Sequence, residues 1–540
     1  MNFIENESVQ KLRGGYYTPF EIASFICKWT FENKIINRVL EPSCGDGIFI
    51  EAISSFHKRE VEVTGFEIDP YEAAKARKRG NGAYLKKSIY NEDFLAWSLR
   101  NQSQFEKFDA VVGNPPFIRY QYLPEEAQIL AERIFKLFSI KFTKHTNAWV
   151  PFVIASLALL RPGGRLGMVL PSEILHIIHA QAVRSFLGHH CRNILIFDPQ
   201  ELWFEKTLQG VIILLAEKKL NNAEINKGLK IIPIRGKDFL NDSPSKYTKG
   251  VQFVNGKTID GKWMRALLPA DKVKLFDEVS ANKSVYSFKE IADVDVGLVT
   301  GANQFFLVQD KVVDSYELKN WAHPMFGRSE HCPGIIYDHK QHYYNSKNGF
   351  PTNFLWFNEK DDLELNTGAK KYIKYGETLG LNNRYKCRIR EPWYKVPSVY
   401  STEIGMLKRA HDIPRLILNR LKAYTTDTAY RIRPRAFKSE KLVCCFINTL
   451  TALSAELEGR HYGGGVLELV PSEIENLKIP VPNLEIEIDK LDKLIKTQTI
   501  EEVLEYQDKK IFKALGYTSQ ERDVIFSAWV FLRNRRQRNN

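Results

Sequence analysis

The chain has 540 residues, too many for one ordinary hydrophobic core, and this length predicts two or three domains. Hydrophobic residues at 44% and charged residues at 26% exclude both a disordered chain and a membrane-embedded one. The formal net charge of +13 favours a polyanionic partner, nucleic acid first, because clustered Lys and Arg raise the local concentration of phosphate; a merely soluble basic surface is the alternative.

Residues 1–7 lack the basic-then-apolar pattern of a signal peptide, and no apolar run approaches the roughly 18 residues of a membrane span. The seven cysteines include no C-x-x-C pair, so neither a zinc knuckle nor a disulfide framework is expected, and a reducing cytoplasm fits best. Over the first 220 residues short apolar runs alternate with helical stretches, the pattern of a βαβ-built parallel sheet. Strands are expected at 38–41, 61–67, 110–113, 165–170, 193–197 and 211–216. A buried helix is expected over 148–160, closed by Arg161-Pro162-Gly163-Gly164. Residues 221–261 turn polar and rich in Gly, Pro, Ser and Lys, which reads as a linker or surface excursion and puts the domain boundary at 245/246. Beyond it Arg and Lys interleave with Tyr and Trp, a composition suited to nucleic acid, although an ordinary mixed domain with core aromatics explains it equally well. From Glu485 the chain reads as helical and reaches Arg533, Arg535, Arg536 and Arg538.

Chemistry first surfaces at Glu41-Pro42-Ser43-Cys44-Gly45-Asp46-Gly47, a turn between an expected strand and helix. Glycines there let backbone approach a ligand at the carboxyl end of a sheet strand. Glu67 ends the second strand about twenty residues on, where nucleotide-binding sheets hold ribose hydroxyls with a carboxylate. The turn does not spell G-x-G-x-x-G, and Glu41 and Asp46 would repel a pyrophosphate. S-adenosylmethionine, with a ribose and a positively charged tail, suits this acidic turn better than a dinucleotide does. Cys44 reads as a small core residue, since no histidine lies nearby in sequence to activate it.

Taken in order, these motifs and the later Asn114-Pro115-Pro116-Phe117 resemble those of gamma-class S-adenosylmethionine-dependent DNA adenine-N6 methyltransferases of type II restriction-modification systems. The resemblance implies a Rossmann-like class I methyltransferase domain with a mostly parallel α/β sheet over 1–245, and an α+β DNA target-recognition domain with a helical end over 246–540. Gly14–Pro19, including Tyr17 and Thr18, would form the leading cofactor motif. The turn with Glu41, Ser43, Gly45 and Gly47 would be the glycine-rich one, with Glu67 and Ile68 at the ribose. Asp93 would accept from the cofactor's exocyclic amine and Phe94 would pack on its ring, with a helix cap as the lesser alternative for Asp93. Asn114 and the Pro115 carbonyl would accept the hydrogens of the target amine. Phe117 and Phe204, with Trp203 as the near alternative to Phe204, would stack on a flipped adenine.

No metal is expected. The implied partners are duplex DNA carrying a specific sequence and, functionally, a cognate restriction endonuclease, with a monomer acting. Cytosine N4, an RNA base, a protein glutamine amide and a non-catalytic specificity subunit are the rival readings. A fused nuclease is disfavoured because no Asp…Glu-x-Lys cluster stands out and no further domain is expected ahead of Gly14. In the basic half, 296–303 and 390–394 look like segments recurring in recognition domains, with Arg328, Lys395 and Arg420 as DNA contacts.

Overall fold

The computed structural model describes residues 17–537 except 145, 202–209, 249, 251, 255–260, 358–364, 463 and 486. The chain divides into two compact units, the first running to Ala270 and the second from Asp271 to Gln537.

In the first unit eight strands form one sheet: β1 (Arg38–Glu41), β2 (Val61–Phe66), β3 (Leu85–Tyr90), β4 (Phe108–Gly113), β5 (Leu160–Pro171), β6 (Cys191–Pro199), β7 (Val211–Lys218) and β8 (Leu229–Ile234). Their spatial order is β3-β2-β1-β4-β5-β7-β6-β8. The β5–β7 and β7–β6 pairings are antiparallel and the others parallel. From β1 the chain winds outward through β2 to β3 and then returns to β4 on the other side of β1. The strand order therefore reverses between β1 and β4, and such a switch opens a crevice at the carboxyl ends of the two strands.

Helices cover the sheet: α1 (Phe20–Phe31), α2 (Ile48–Phe56), α3 (Pro70–Lys78), α4 (Phe94–Arg100), α5 (Glu125–Leu137), α6 (Trp149–Leu159) and α7 (Gln181–His190). All six residues of β4 are buried, as a central parallel strand covered on both faces requires. On one face Ile22, Phe25 and Ile26 of α1 pack with Val39, Val63 and Val112 of the sheet. Asp109 fixes the start of β1 by accepting from the N–H groups of Asn37 (2.6 Å) and Arg38 (2.9 Å).

Two sheet edges escaped the sequence pattern. The sequence of β3, L-K-K-S-I-Y, leaves much of its surface partly exposed and so lacks the apolar run of a central strand. The other edge corrects the expected linker: within 221–261, β8 pairs in parallel with β6. Further along that stretch Phe239 meets Phe25 of α1 edge-on at 5.1 Å. Just beyond it Trp263 is fully buried. The polar composition around it masked an edge strand, L-K-I-I-P-I, in which Leu229, Ile231 and Ile234 are buried, and the unit ends at Ala270 instead of 245. Residues 161–164 do end α6, but as a four-residue excursion: Phe108 pairs with Leu160 and Ala110 with Arg165.

The second unit contains a five-stranded sheet in the spatial order Ala292–Val296, Ala429–Pro434, Ile404–Leu407, Leu416–Asn419 and Ile336–Tyr337. A four-stranded sheet is built from Leu307–Val308, Asn353–Leu355, Ala322–Phe326 and Tyr424–Thr425. The unit ends in three helices, Ile488–Thr497, Ile500–Leu515 and Ser519–Gln537, in agreement with the helical reading from Glu485. A capping box formed by Thr499 and Glu502 starts the middle one, and Gly516, at φ +85°, stops it.

Candidate active site

Three turns leave the carboxyl ends of the adjacent strands β2, β1 and β4. In the turn after β1, two glycines take positive φ for different reasons. At Gly47 (φ +90°) a Cβ would lie 2.9 Å from Ala76 Cα, so its absence lets α3 approach. At Gly45 (φ +51°) a Cβ would meet nothing within 4 Å, so the backbone there borders open space.

Glu67 follows β2 and ties its turn to that of β1. Its Oε2 accepts from the Gly45 N–H at 2.9 Å and its Oε1 from the Asp69 N–H at 2.8 Å. Asn91 supports this arrangement from beneath, its side-chain amide donating to the carbonyls of Glu67 (2.8 Å) and Ile68 (3.0 Å). Asp69 caps α3 by accepting from Tyr71 at 2.8 Å, with Pro70 at the first helical position. Ile68 is left exposed. Asn91 did not feature in the sequence reading, whereas Asp69-Pro70 ahead of a helix is a recognisable start signal.

After β4 come Asn114, half-buried, Pro115, buried, and Phe117, half-buried against the α1-side core. Pro42 lies against Gly113, where a Cβ would stand 3.4 Å from the proline Cδ. The Ser43 hydroxyl donates to the Asn114 carbonyl at 3.0 Å. The turns after β1 and β4 are thus in direct contact. Asp93 begins α4 as its N-cap, accepting from the Ala96 N–H at 2.8 Å, and Phe94 is buried against Phe66 and Phe152. Thr18 is buried and Tyr17 half exposed just ahead of α1. Gly14, Gly15, Trp203 and Phe204 lie outside the described residues.

Charge accumulates at these turns. Glu41 is 1% exposed, and neither of its oxygens has a hydrogen-bond partner among the described residues. Burial pushes its carboxyl well above the usual range, and Asp46 and Glu67 push it further. Burial also raises Glu67, against the pull of the Asp69 and Gly45 N–H groups, and raises Asp46, against Arg79 at 3.0 Å. Asp93 is raised by burial and held down by the Ala96 and Leu95 N–H groups. Such an excess of desolvated carboxyls suits a cationic ligand. The Cys44 thiol is pushed far up by burial and then by Glu41 and Glu67, which makes it inert. Among the described residues no group of side chains could hold a metal ion, and no helix is long and apolar enough to cross a membrane.

In the second unit Arg390 joins the two segments singled out from the sequence, donating to the carbonyls of Val299 and Thr300 at 2.7 Å each. Arg328 pairs with Glu330 at 3.2 Å, and Arg420 with Asp489 at 3.1 Å and Glu440 at 3.4 Å. Lys395, Arg390 and Trp356 line a cavity of about 420 Å³. Arg533, Arg535 and Arg536 are buried, and the Arg536 guanidinium sits on Glu456 at 2.7 Å with both side chains fully enclosed.

Two family models match the chain in succession: the Eco57I restriction-modification methylase over residues 36–203, and the C-terminal domain of the type II methyltransferase M.Eco57I over residues 260–512. The chain belongs to the Eco57I-like type II restriction-modification methyltransferases. Type II methyltransferase M.AccI of Acinetobacter calcoaceticus is 24% identical over 528 residues, covering 95% of this chain and 91% of that one. M.HindII of Haemophilus influenzae is 21% identical over 405 residues, covering 70% and 73%. Among solved structures, the type IIL restriction-modification enzyme MmeI in complex with DNA superposes with a TM-score of 0.52 at 12% identity, covering 92% of this chain and 73% of that one, a likeness of fold.

S-adenosylmethionine is the cofactor of this Eco57I-like chain, and the turns fit it. Open space borders Gly45, desolvated carboxyls surround it, and the Glu67 carboxylate stands at its edge.

Proposed function

We propose that this methyltransferase acts on adenine N6 within a specific sequence of duplex DNA, as a monomer that flips the target base out of the helix and protects the site from a cognate endonuclease. The observation that carries the reading is the contact between the two turns, with Asn114-Pro115-Pro116-Phe117 hydrogen-bonded through the Asn114 carbonyl to Ser43 of the glycine-rich turn.

S-adenosylmethionine supplies an electrophilic methyl group on a sulfonium and leaves as a neutral thioether. Around it, Glu67 would hold the ribose hydroxyls with Ile68 packing nearby, while Gly45 and Gly47 keep the backbone low. Glu41, Ser43, Tyr17 and Thr18 would surround the cationic end, and Asp93 and Phe94 the adenine ring. The Asn114 side-chain oxygen and the Pro115 carbonyl would accept both hydrogens of the adenine N6 amine. That draws the nitrogen toward tetrahedral geometry and turns its lone pair toward the methyl group. The N6 proton becomes acidic only after the new N–C bond has formed and then passes to solvent, so positioning and preorganised acceptors supply most of the rate. Extruding the base costs a few kcal/mol. Phe117 and Phe204 would offset this by stacking, at about 1–3 kcal/mol per base.

A labelled methyl-transfer assay offering duplex DNA, RNA and protein, followed by mapping of the modified base, tests the reading. Methylation at adenine N6, abolished by Asn114→Ala with cofactor and DNA still bound, is the expected outcome. Modification at cytosine N4, or only in RNA or protein, would replace it, and full activity of Asn114→Ala would sink the mechanism.

A further inference from the structure

The basic charge of the second unit is unevenly spread. Between residues 366 and 396 the chain carries eight Lys or Arg against two Glu, a net six positive charges out of thirteen for the whole chain. Lys370, Lys371, Lys374, Arg384, Lys386 and Arg388 are all exposed, and none forms an ion pair or a side-chain hydrogen bond among the described residues. By contrast, Arg533, Arg535 and Arg536, which make the C-terminus look basic in sequence, are interior.

The scaffold beneath these cations is rigid. Helix Thr367–Thr378 buries Ala369, Tyr372, Ile373 and Gly376, so its three lysines share the opposite face. Trp393 closes against Gly376, where a Cβ would stand 2.8 Å from the indole, and its Nε1 donates to Glu377 at 3.2 Å. Tyr385–Arg388 follows a turn later, with Cys387 buried and the Arg388 guanidinium over the exposed Tyr385 ring at 6.0 Å. Unpaired cations on fixed backbone, with exposed Tyr375 and Tyr385 among them, suit a regularly spaced row of anions.

We propose that this face is the surface by which the second unit grips the phosphates of duplex DNA. It holds the duplex in position and does not read bases. The inference rests on DNA being the substrate. Each phosphate neutralised releases condensed counterions, so every lost contact flattens the dependence of log K on log[salt] by about 0.9 for B-form DNA.

The test measures binding of the full chain to a labelled duplex across a salt series. One variant combines Lys370→Ala, Lys371→Ala and Lys374→Ala, and a second combines Arg384→Ala, Lys386→Ala and Arg388→Ala. A control combines Lys493→Ala, Lys509→Ala and Lys513→Ala, which removes the same charge from exposed positions of the terminal helices. Each of the first two should flatten the slope by about 2–3, with cognate and unrelated duplexes weakened alike, and the control should keep the parental slope. Cofactor affinity and melting temperature should be unchanged in all three. Parental slopes in both test variants, or an equal flattening in the control, would overturn the assignment. Failure of the parental chain to bind any duplex would instead overturn the DNA reading, and this assignment with it.

Discussion

The Ser43 hydroxyl donates to the Asn114 carbonyl at 3.0 Å, joining the turn after β1 to the turn after β4 across neighbouring strands. Such a bond contributes about 0.5–1.5 kcal/mol, and here it orients the peptide that leads into Pro115. Ser43→Ala should therefore lower kcat by up to about tenfold while moving the cofactor Kd much less. Single-turnover methyl transfer alongside calorimetric titration of the cofactor would separate the two. An equal loss in both would make Ser43 a binding residue only.

Gly45→Ala and Gly47→Ala should fail differently. Both place a side chain in the left-handed region at about 1–2 kcal/mol. At Gly47 the methyl also collides with the α3 backbone at 2.9 Å, so that variant should lose stability and cofactor together. At Gly45 the methyl enters open space, so cofactor affinity should fall with little further loss in melting temperature. Thermal unfolding and titration of both proteins compare the two outcomes.

The burial that raises the Glu67 carboxyl sets a pH dependence for cofactor binding. A carboxylate must be ionised to accept from two hydroxyls, so affinity should climb as pH rises through the elevated pKa and level off above it. Glu67→Gln should weaken binding by about 1.5–3 kcal/mol, the range for hydrogen bonds to a charged group, and remove this part of the climb. An unaltered pH profile in Glu67→Gln would assign the titration to Glu41 or Asp46.

Asp508, fully buried and accepting from the Thr449 N–H at 2.9 Å, has its carboxyl pushed by burial up to about 7. The folded chain therefore holds this proton more tightly than the unfolded chain, in which an Asp titrates near about 3.9. Stability from this site is greatest below the unfolded value and is lost as pH rises from about 4 to about 7. Asp508→Asn should flatten that decline. Denaturant midpoints taken across the window would detect it, and an unchanged slope would assign it elsewhere.

Glu456 and Arg536 form an enclosed pair at 2.7 Å. Breaking it with Glu456→Gln strands a buried guanidinium and should cost about 3–5 kcal/mol. Arg420→Ala, which removes the partly exposed pairs with Asp489 and Glu440, should cost no more than about 1 kcal/mol for each. Denaturant unfolding of the two variants side by side measures the contrast.

The turns that form the candidate site were legible because each is contiguous and local. Glycines at 45 and 47, Glu67 just past β2, and Asn114-Pro115-Pro116-Phe117 after the apolar run 110–113 each announce a backbone requirement within a few residues. The sequence by itself determined the order of these turns and the parallel sheet that presents them, since strand and helix periodicities are properties of short windows. Only the tertiary structure decided that Ser43 meets Asn114 and that a polar stretch supplies β8. It alone also decided that Arg536 is interior while Lys370 is free on the surface. Burial and pairing depend on residues as far apart in the chain as Glu456 and Arg536, and no local pattern carries that information.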